Sequence, residues 1–385
     1  MSDFNVPLVT IEKISEHPDP ETTSLELVHV FGYQCVVKKG NFKVGDQVFY
    51  IPEQALVTPK IIEDLNLEGF LSGPDKNRVK AIKLRKVLSQ GILYPITFTD
   101  IKPSVDVDHD YAEELGITKY EPRIPENMSG RIRPAGPWAK YLFRFDFNDI
   151  KRERRNSFRE GEPVIITEKL HGTFVQFVYV IEEDTLLISS KGLSKQGIII
   201  EDTPENANNV YVKMAKNLNI LEKLRTITAE RPDHMASIQA LGIMGEIVGP
   251  GIQDMTYGLT KPEFFMFGCF IYNGNSVDIS ETTNITVPEN FEDTIIELDA
   301  SYMYALHRML DVDLVPLINY GFWSSEEDLR EMEDVMSDVS VLNPGGLREG
   351  VVICSQSRYG HNGMLARAKM ITPKYLLRKN GTEYN

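Results

Sequence analysis

Val164-Ile165-Ile166-Thr167-Glu168-Lys169-Leu170-His171-Gly172-Thr173-Phe174-Val175-Gln176-Phe177 is the stretch on which the reading of this chain turns. Three β-branched apolar residues lead into the charged pair Glu168-Lys169. An apolar pattern resumes after Gly172 through Phe174/Val175, Phe177/Val178 and Val180. This predicts a buried strand, a tight turn and a second strand, with Lys169 at the end of the first. A lysine there has two readings. For lysines at large, a solvated loop charge is the ordinary one. The other is a covalent nucleophile, an amine in a polar pocket whose pKa is lowered by neighbouring cations or metal and which attacks an electrophilic phosphorus. Gly172 would then permit a tight turn and a close backbone approach to a nucleotide. Lys-x-x-Gly is too short to choose between them, so the choice passes to the rest of the chain.

At 385 residues, 42% hydrophobic and 25% charged, the composition is that of an ordinary globular protein with room for two domains. The longest apolar run, Phe264 to Tyr272, is too short to span a bilayer, and Met1 to Thr10 has no basic-then-apolar leader. A cytoplasmic protein is expected. Cys35, Cys269 and Cys354 give neither a disulfide framework nor a zinc pattern and are read as reduced core residues, and the seven histidines have no metal-ligand spacing. The net charge of −15 argues against nucleic acid only superficially. Residues 281–338 carry fifteen acids against Arg308 and Arg330, a net of −13, so the remainder of the chain is close to neutral. Arg131 to Arg159 carries nine bases against three acids, and Lys76 to Lys86 has six bases and no acid. Such local patches leave a nucleic-acid footprint open.

Residues 1–102 read as all-β. Short apolar runs (Pro7 to Ile11, Leu25 to Val30, Tyr33 to Val37, Val48 to Ile51, Val79 to Leu84, Gly91 to Ile96) are separated by turn signals, which suits a small OB-type barrel. Phe31, Tyr33, Phe42, Phe49 and Tyr50 offer stacking platforms for bases, although barrel filling claims most of them. Lys76 to Lys86 reads equally as a phosphate-contacting strand or as a solvated face. Residues 103–140, with clustered acids and prolines, read as a domain junction. From 141 the pattern is mixed α and β, with helices expected at Glu205 to Leu218, Ser301 to Leu310 and Ser325 to Ser337. The acidic region 281–338 reads as a solvated helical insertion without chemistry of its own.

Five features follow Lys169 in order: Ser190-Lys191-Gly192 after a strand, Gly245-Glu246 before a glycine-rich turn, the aromatic strand Phe264 to Phe270, Glu349-Gly350 entering a buried strand, and Arg367-x-Lys369 with two cations on one face. Each alone has a structural explanation. Together they supply what nucleotidyl transfer needs: an amine to attack the α-phosphorus, carboxylates for a metal, cations for the phosphate oxygens and an aromatic face for a purine.

This series resembles the motifs of the covalent nucleotidyltransferase superfamily of DNA ligases, RNA ligases and capping enzymes. The spelling Glu168-Lys169-Leu170-His171-Gly172-Thr173, and a barrel that precedes the catalytic part, resemble the nick-sealing ATP-dependent RNA ligases with an N-terminal OB domain. The resemblance covers nearly the whole chain outside the acidic region. It implies an α+β fold, an OB-type barrel followed by a nucleotidyltransferase (ATP-grasp-like ligase) domain of antiparallel sheets with flanking helices, over 141–385. It implies ATP as AMP donor and Mg or Mn as metal. Lys169 would become the lysyl-AMP, Glu246 and Glu349 would orient the metal through its water, Phe267 would stack on adenine, and Lys369 with Arg367 would hold the α-phosphate. Glu168, Gly172 and Lys191 would lie against the nucleotide, and His171 would sit near it or serve as a hydrogen-bonding brace. Arg367 departs from the usual Lys-x-Lys spelling, and Arg144, Lys151, Arg152, Arg154 and Arg155 are all candidates for the triphosphate tail. The implied partner is RNA, or an RNA-containing duplex, with a 3′-hydroxyl/5′-phosphate break, bound by a monomer away from membranes. A GTP-dependent capping-type guanylyltransferase and a non-catalytic RNA-binding protein of the same fold stand as alternatives.

Overall fold

The computed structural model describes residues 4–106, 109–121, 128–143, 147, 149–152, 158–190, 197–231, 235, 237–273, 294–324, 339–359, 363–378 and 381. It divides into two compact units, one of Met1–Glu121 with Asp146–Arg154 and Pro373–Lys379, the other of Pro122–Phe145 with Arg155–Thr372 and Asn380–Asn385. Among the described residues no helix is long and apolar enough to cross a membrane.

The first unit holds two three-stranded antiparallel sheets, Leu8–Thr10/Gln47–Ile51/Ile92–Pro95 and Lys13–Glu16/Leu25–Val30/Tyr33–Lys38. Val48 and Tyr50 pack with Ile11, Val28, Val30, Cys35 and Leu93, while Phe49 and Ile51 pack with Val57, Ile61, Tyr94 and Tyr111. The strand between them is apolar on both faces because both are covered, which is why it reads as a continuous run rather than an alternation. Each fully buried side chain of this size contributes roughly 1.5–3 kcal/mol.

The expected junction at 103–140 is shared between the units. Tyr111, Leu115 and Ile117 close the core of the first, and the Tyr111 N–H donates to the Val6 carbonyl at 3.0 Å. Met128 and Ala135, with Trp138 and Ala139 beside them, pack into the second. Clustered acids and prolines hid these few apolar anchors.

The second unit contains a four-stranded and a six-stranded sheet. The four-stranded sheet runs Leu317–Phe322, Pro163–Lys169, Gly350–Tyr359, Leu365–Ile371, antiparallel throughout. The six-stranded sheet runs Thr185–Ser189, Thr173–Val180, Ala240–Val248, Glu263–Asn273, Thr294–Glu297, with Asp313–Leu314 parallel to Glu263–Asn273. Helices Val210–Asn217, Ile220–Ala229 and Ala300–Leu310 bury apolar side chains with Val175, Phe177 and Ile243 on one face of that sheet. The helix expected from Glu205 begins later. Asn209 caps it by accepting the amides of Tyr211 and Val212, and Pro204–Asn206 is a separate short 3-10 helix.

The acidic region needs correction. Its described part, 294–324, supplies strands to both sheets and buries Leu306 and Leu310 through one helix, so it is built into the fold rather than inserted as a solvated helix. Charge counting missed this because most of the acids counted flank this stretch, which itself holds only Glu297, Asp299, Asp311 and Asp313. The helix expected at Ser325 to Ser337 lies outside the described residues.

Candidate active site

Strand Pro163–Lys169 lies inside the four-stranded sheet, its last residue opposite Gly350. Thr167 pairs with Val352, and Val352 with Lys369. Directly opposed residues share a face, so Lys169, Lys369 and Arg367 all stand on one side of this sheet. Gly350 is required by the close approach of the neighbouring strand, since a Cβ there would lie 2.1 Å from the Met370 carbonyl oxygen. The turn before it places Glu349 beside the lysine. Lys169 Nζ donates to Glu349 Oε1 at 2.7 Å, with the lysine side chain 27% exposed and the carboxylate 7%. Glu349 Oε2 is buried, has no hydrogen-bond partner among the described residues and lies 3.9 Å from His171 Nδ1.

The turn after Lys169 is held by one loop, residues 249–258. The His171 amide donates to the Tyr257 hydroxyl at 2.6 Å, the His171 ring meets Asp254 Oδ1 through Nε2 at 2.9 Å, and Gln253 Nε2 donates to the Gly172 carbonyl at 3.1 Å. His171 is thus buried and braced between Asp254 and Glu349. Tyr257 itself sits at φ +54°, a region disfavoured for a bulky side chain. Burial pushes its phenol pKa up, and the carboxylates of Glu349, Glu168 and Glu246 push it further. At Gly172 the missing side chain makes room for protein. A Cβ would lie 2.2 Å from the Ile247 carbonyl oxygen, on the strand that carries Glu246. The first and third motifs are locked together at that point.

Glu246 pairs with Phe174 on one side and Phe265 on the other. Next to it the ladder slips. Met244 pairs with Gly268 and Gly245 with Met266, so Phe267 is the surplus residue of a β-bulge. Its ring lies 6.2 Å from that of Phe174, and both are half-buried. Glu246, Phe174 and Phe267 form an acid-and-aromatic patch.

The remaining expected residues separate. Burial pulls the Lys369 ammonium down to about 8. Arg367, on the same strand face, is ion-paired with Glu297 and lies 3.3 Å through Nη2 from the Cys354 sulfur; its side chain is 4% exposed and that of Glu297 2%. Burial pushes the Glu297 carboxyl up, against the opposing influence of Arg367 and the Leu365 amide. Glu168 Oε2 accepts the amides of Val341 at 2.7 Å and Leu342 at 3.3 Å, while Oε1 is buried and has no partner among the described residues. Lys191, Arg144, Arg154 and Arg155 lie outside the described residues. Lys151 and Arg152 belong to a segment of the first unit.

The arrangement presents an accessible amine, a second cation with a lowered pKa, partnerless carboxylate oxygens and an aromatic ring. Among the described residues no three His, Cys, Asp or Glu side chains gather as a metal cage. Carboxylate oxygens such as Glu349 Oε2 do suit a hard divalent cation that keeps most of its water. Sequence reasoning gave no role to Gln253, Asp254, Tyr257 or Glu297. The first two sit in a glycine-rich turn whose polar residues could have been marked as braces. Nothing local distinguishes Tyr257 or Glu297.

A family model described as RNA ligase matches residues 162–371, and an OB-fold domain model matches residues 8–96. No curated protein sequence matches the chain. Among solved structures, the Naegleria gruberi RNA ligase with pyrophosphate superimposes with a TM-score of 0.72 at 22% identity, covering 96% of this chain and 97% of that one. A lysine-to-alanine mutant of that ligase with ATP and Mn gives 0.73 at 22% identity, over 97% and 98%. A lysine-to-methionine mutant with AMP and Mn gives 0.73 at 22%, over 96% and 97%. At this identity the likeness establishes the fold, an OB-fold unit followed by a ligase domain of antiparallel sheets.

Proposed function

Because this chain belongs to the RNA ligase family, we propose that it seals breaks with a 3′-hydroxyl and a 5′-phosphate at the expense of ATP, in three transfers. The observation that carries the reading is the contact between Lys169 Nζ and Glu349 Oε1, made on the sheet face that also bears Lys369. In the first transfer the lysine amine attacks the α-phosphorus of ATP, an N–P bond forms, the bond to pyrophosphate breaks and the amine sheds a proton. Glu349 is the acceptor within reach. Lys369 neutralises the phosphate oxygens, and Phe267 with Phe174 stacks the base. In the second transfer AMP moves to the 5′-phosphate, and in the third the 3′-hydroxyl displaces AMP to form the phosphodiester. His171, held by Asp254 and Tyr257, fixes the turn that aims Lys169.

The Naegleria ligase is described with ATP, AMP and Mn, which supports ATP and a divalent metal here. Glu246 and Glu349 would hold that metal, and it would supply positive charge to the phosphates. The OB-fold unit would bind RNA around the break through phosphates and 2′-hydroxyls.

Incubation with α-labelled ATP or GTP, followed by a nicked RNA duplex, tests the reading. Label should pass from ATP to wild-type protein and not to Lys169→Ala, and the nick should close. Full labelling of Lys169→Ala would sink the assignment, and preference for GTP would turn it toward cap formation.

A further inference from the structure

In the first unit, strands Leu25–Val30 and Tyr33–Lys38 are joined by the two residues Phe31 and Gly32. Phe31 takes φ +54° and is 44% exposed. Tight hairpin turns give positive-φ places to Gly, Asn or Asp, and a bulky aromatic there is an outlier. Apolar burial does not account for holding a half-exposed ring in such a conformation.

The surroundings do. The Phe31 ring meets Tyr50 edge-on, with centroids 6.2 Å apart and planes at 83°, and Tyr50 stacks flat on Tyr33 at 5.4 Å and 7°. The Gly32 amide donates to the Lys151 carbonyl at 2.6 Å, which fastens the turn to segment 149–152. That segment is itself folded by Asp149, which accepts the amides of Lys151 and Arg152, each at 2.9 Å. It places the Arg152 guanidinium 6.0 Å from the Phe31 ring centroid. An exposed ring, backed by two more rings and flanked by a cation, is the arrangement that stacks an unpaired base while attracting its phosphate.

A second tight hairpin of the same unit follows the same logic with charge. Strands Ile82–Leu84 and Val87–Ser89 are joined by Arg85 and Lys86, at φ +45° and +74°, both exposed. Both positive-φ places are given to cations rather than to Asn or Gly.

We infer that Phe31 and Arg152 form a stacking station for one unpaired RNA base on the OB-fold unit, with Arg85 and Lys86 as phosphate contacts. The inference rests on the RNA-ligase reading above and assigns Arg152 to RNA rather than to the triphosphate of ATP.

The test uses the full chain, a single-stranded RNA and a nicked RNA duplex, each carrying one 2-aminopurine. Phe31→Gly removes the ring and suits the backbone. Affinity for the single strand should fall about tenfold and the fluorescence quenching should vanish, with thermal stability unchanged or raised and the salt dependence of binding preserved. Arg152→Ala should weaken binding and lower the salt slope by about one charge, with lysyl-AMP formation at wild-type rate. The pair Arg85→Asn and Lys86→Gly should lower the slope by about two. Unchanged affinity in Phe31→Gly, or a drop in its melting temperature with binding intact, would overturn the station and leave a structural ring. Loss of lysyl-AMP formation in Arg152→Ala would return that residue to ATP. Failure of the wild-type protein to form lysyl-AMP at all would instead strike the ligase reading.

Discussion

The two ends of the four-stranded sheet each hold a cation against a glutamate, and the two pairs differ in access. At one end Lys169 meets Glu349 with a quarter of the lysine side chain open to solvent. At the other Arg367 meets Glu297 with both side chains sealed, 4% and 2% exposed. A cation that a substrate can reach, on a partner that is itself incompletely bonded, is available for exchange. A cation enclosed with its partner serves to hold strands Thr294–Glu297 and Leu365–Ile371 together. Solvent access thus separates a cation–carboxylate pair that a substrate can reach from one that fastens two strands.

Substitutions at each end sharpen this contrast. Lys169→Ala should abolish labelling from α-labelled ATP while leaving the chemical denaturation midpoint near that of wild type. Glu297→Ala should do the reverse, stranding a buried guanidinium at a cost of about 3–5 kcal/mol in urea unfolding. Converting both Glu297 and Arg367 to Met should recover most of that loss. If Glu297→Ala instead left stability intact and stopped labelling, the division would fail.

Lys369 supplies a pH-dependent test. With its pKa at about 8, it is a cation below that pH and neutral above it. ATP affinity should be level under pH 7 and fall about tenfold per unit above about 8, and Lys369→Arg should flatten the profile. Folding responds in the opposite sense. The unfolded chain holds this proton up to its ordinary 10.5, so the group makes stability rise with pH between about 8 and 10.5. The smallest expected effect is at Tyr257→Phe. It strands the His171 amide at about 1–3 kcal/mol, lowering the turnover of the labelling step with little change in KM for ATP.

The sequence was legible where an apolar run carries a charged residue. Lys169, Glu349 and Lys369 could be placed because apolar runs fixed their strands, and register then brought them to one face. The bracing contacts were not legible, since Tyr257 reaches His171 across 86 positions and Arg367 finds Glu297 across 70. Glu297 was masked by the acids around it, and Tyr111 and Ile117 by the polar residues that made their segment look like a linker. Lys191, read as a second cation, lies outside the described residues.

The slip beside Gly245 carries a further consequence. Upstream of it Phe264 and Met266 point toward the helices, and downstream Cys269 and Ile271 do, so the inward positions change from even to odd numbers across Phe267. Skipping that residue restores unbroken alternation along Glu263–Asn273. Phe267 is thus a residue added to the ladder, its ring packed against the clusters on either side. A one-residue deletion should leave the ladder tighter than Phe267→Ala does, and under the stacking role proposed for the ring both should weaken ATP binding.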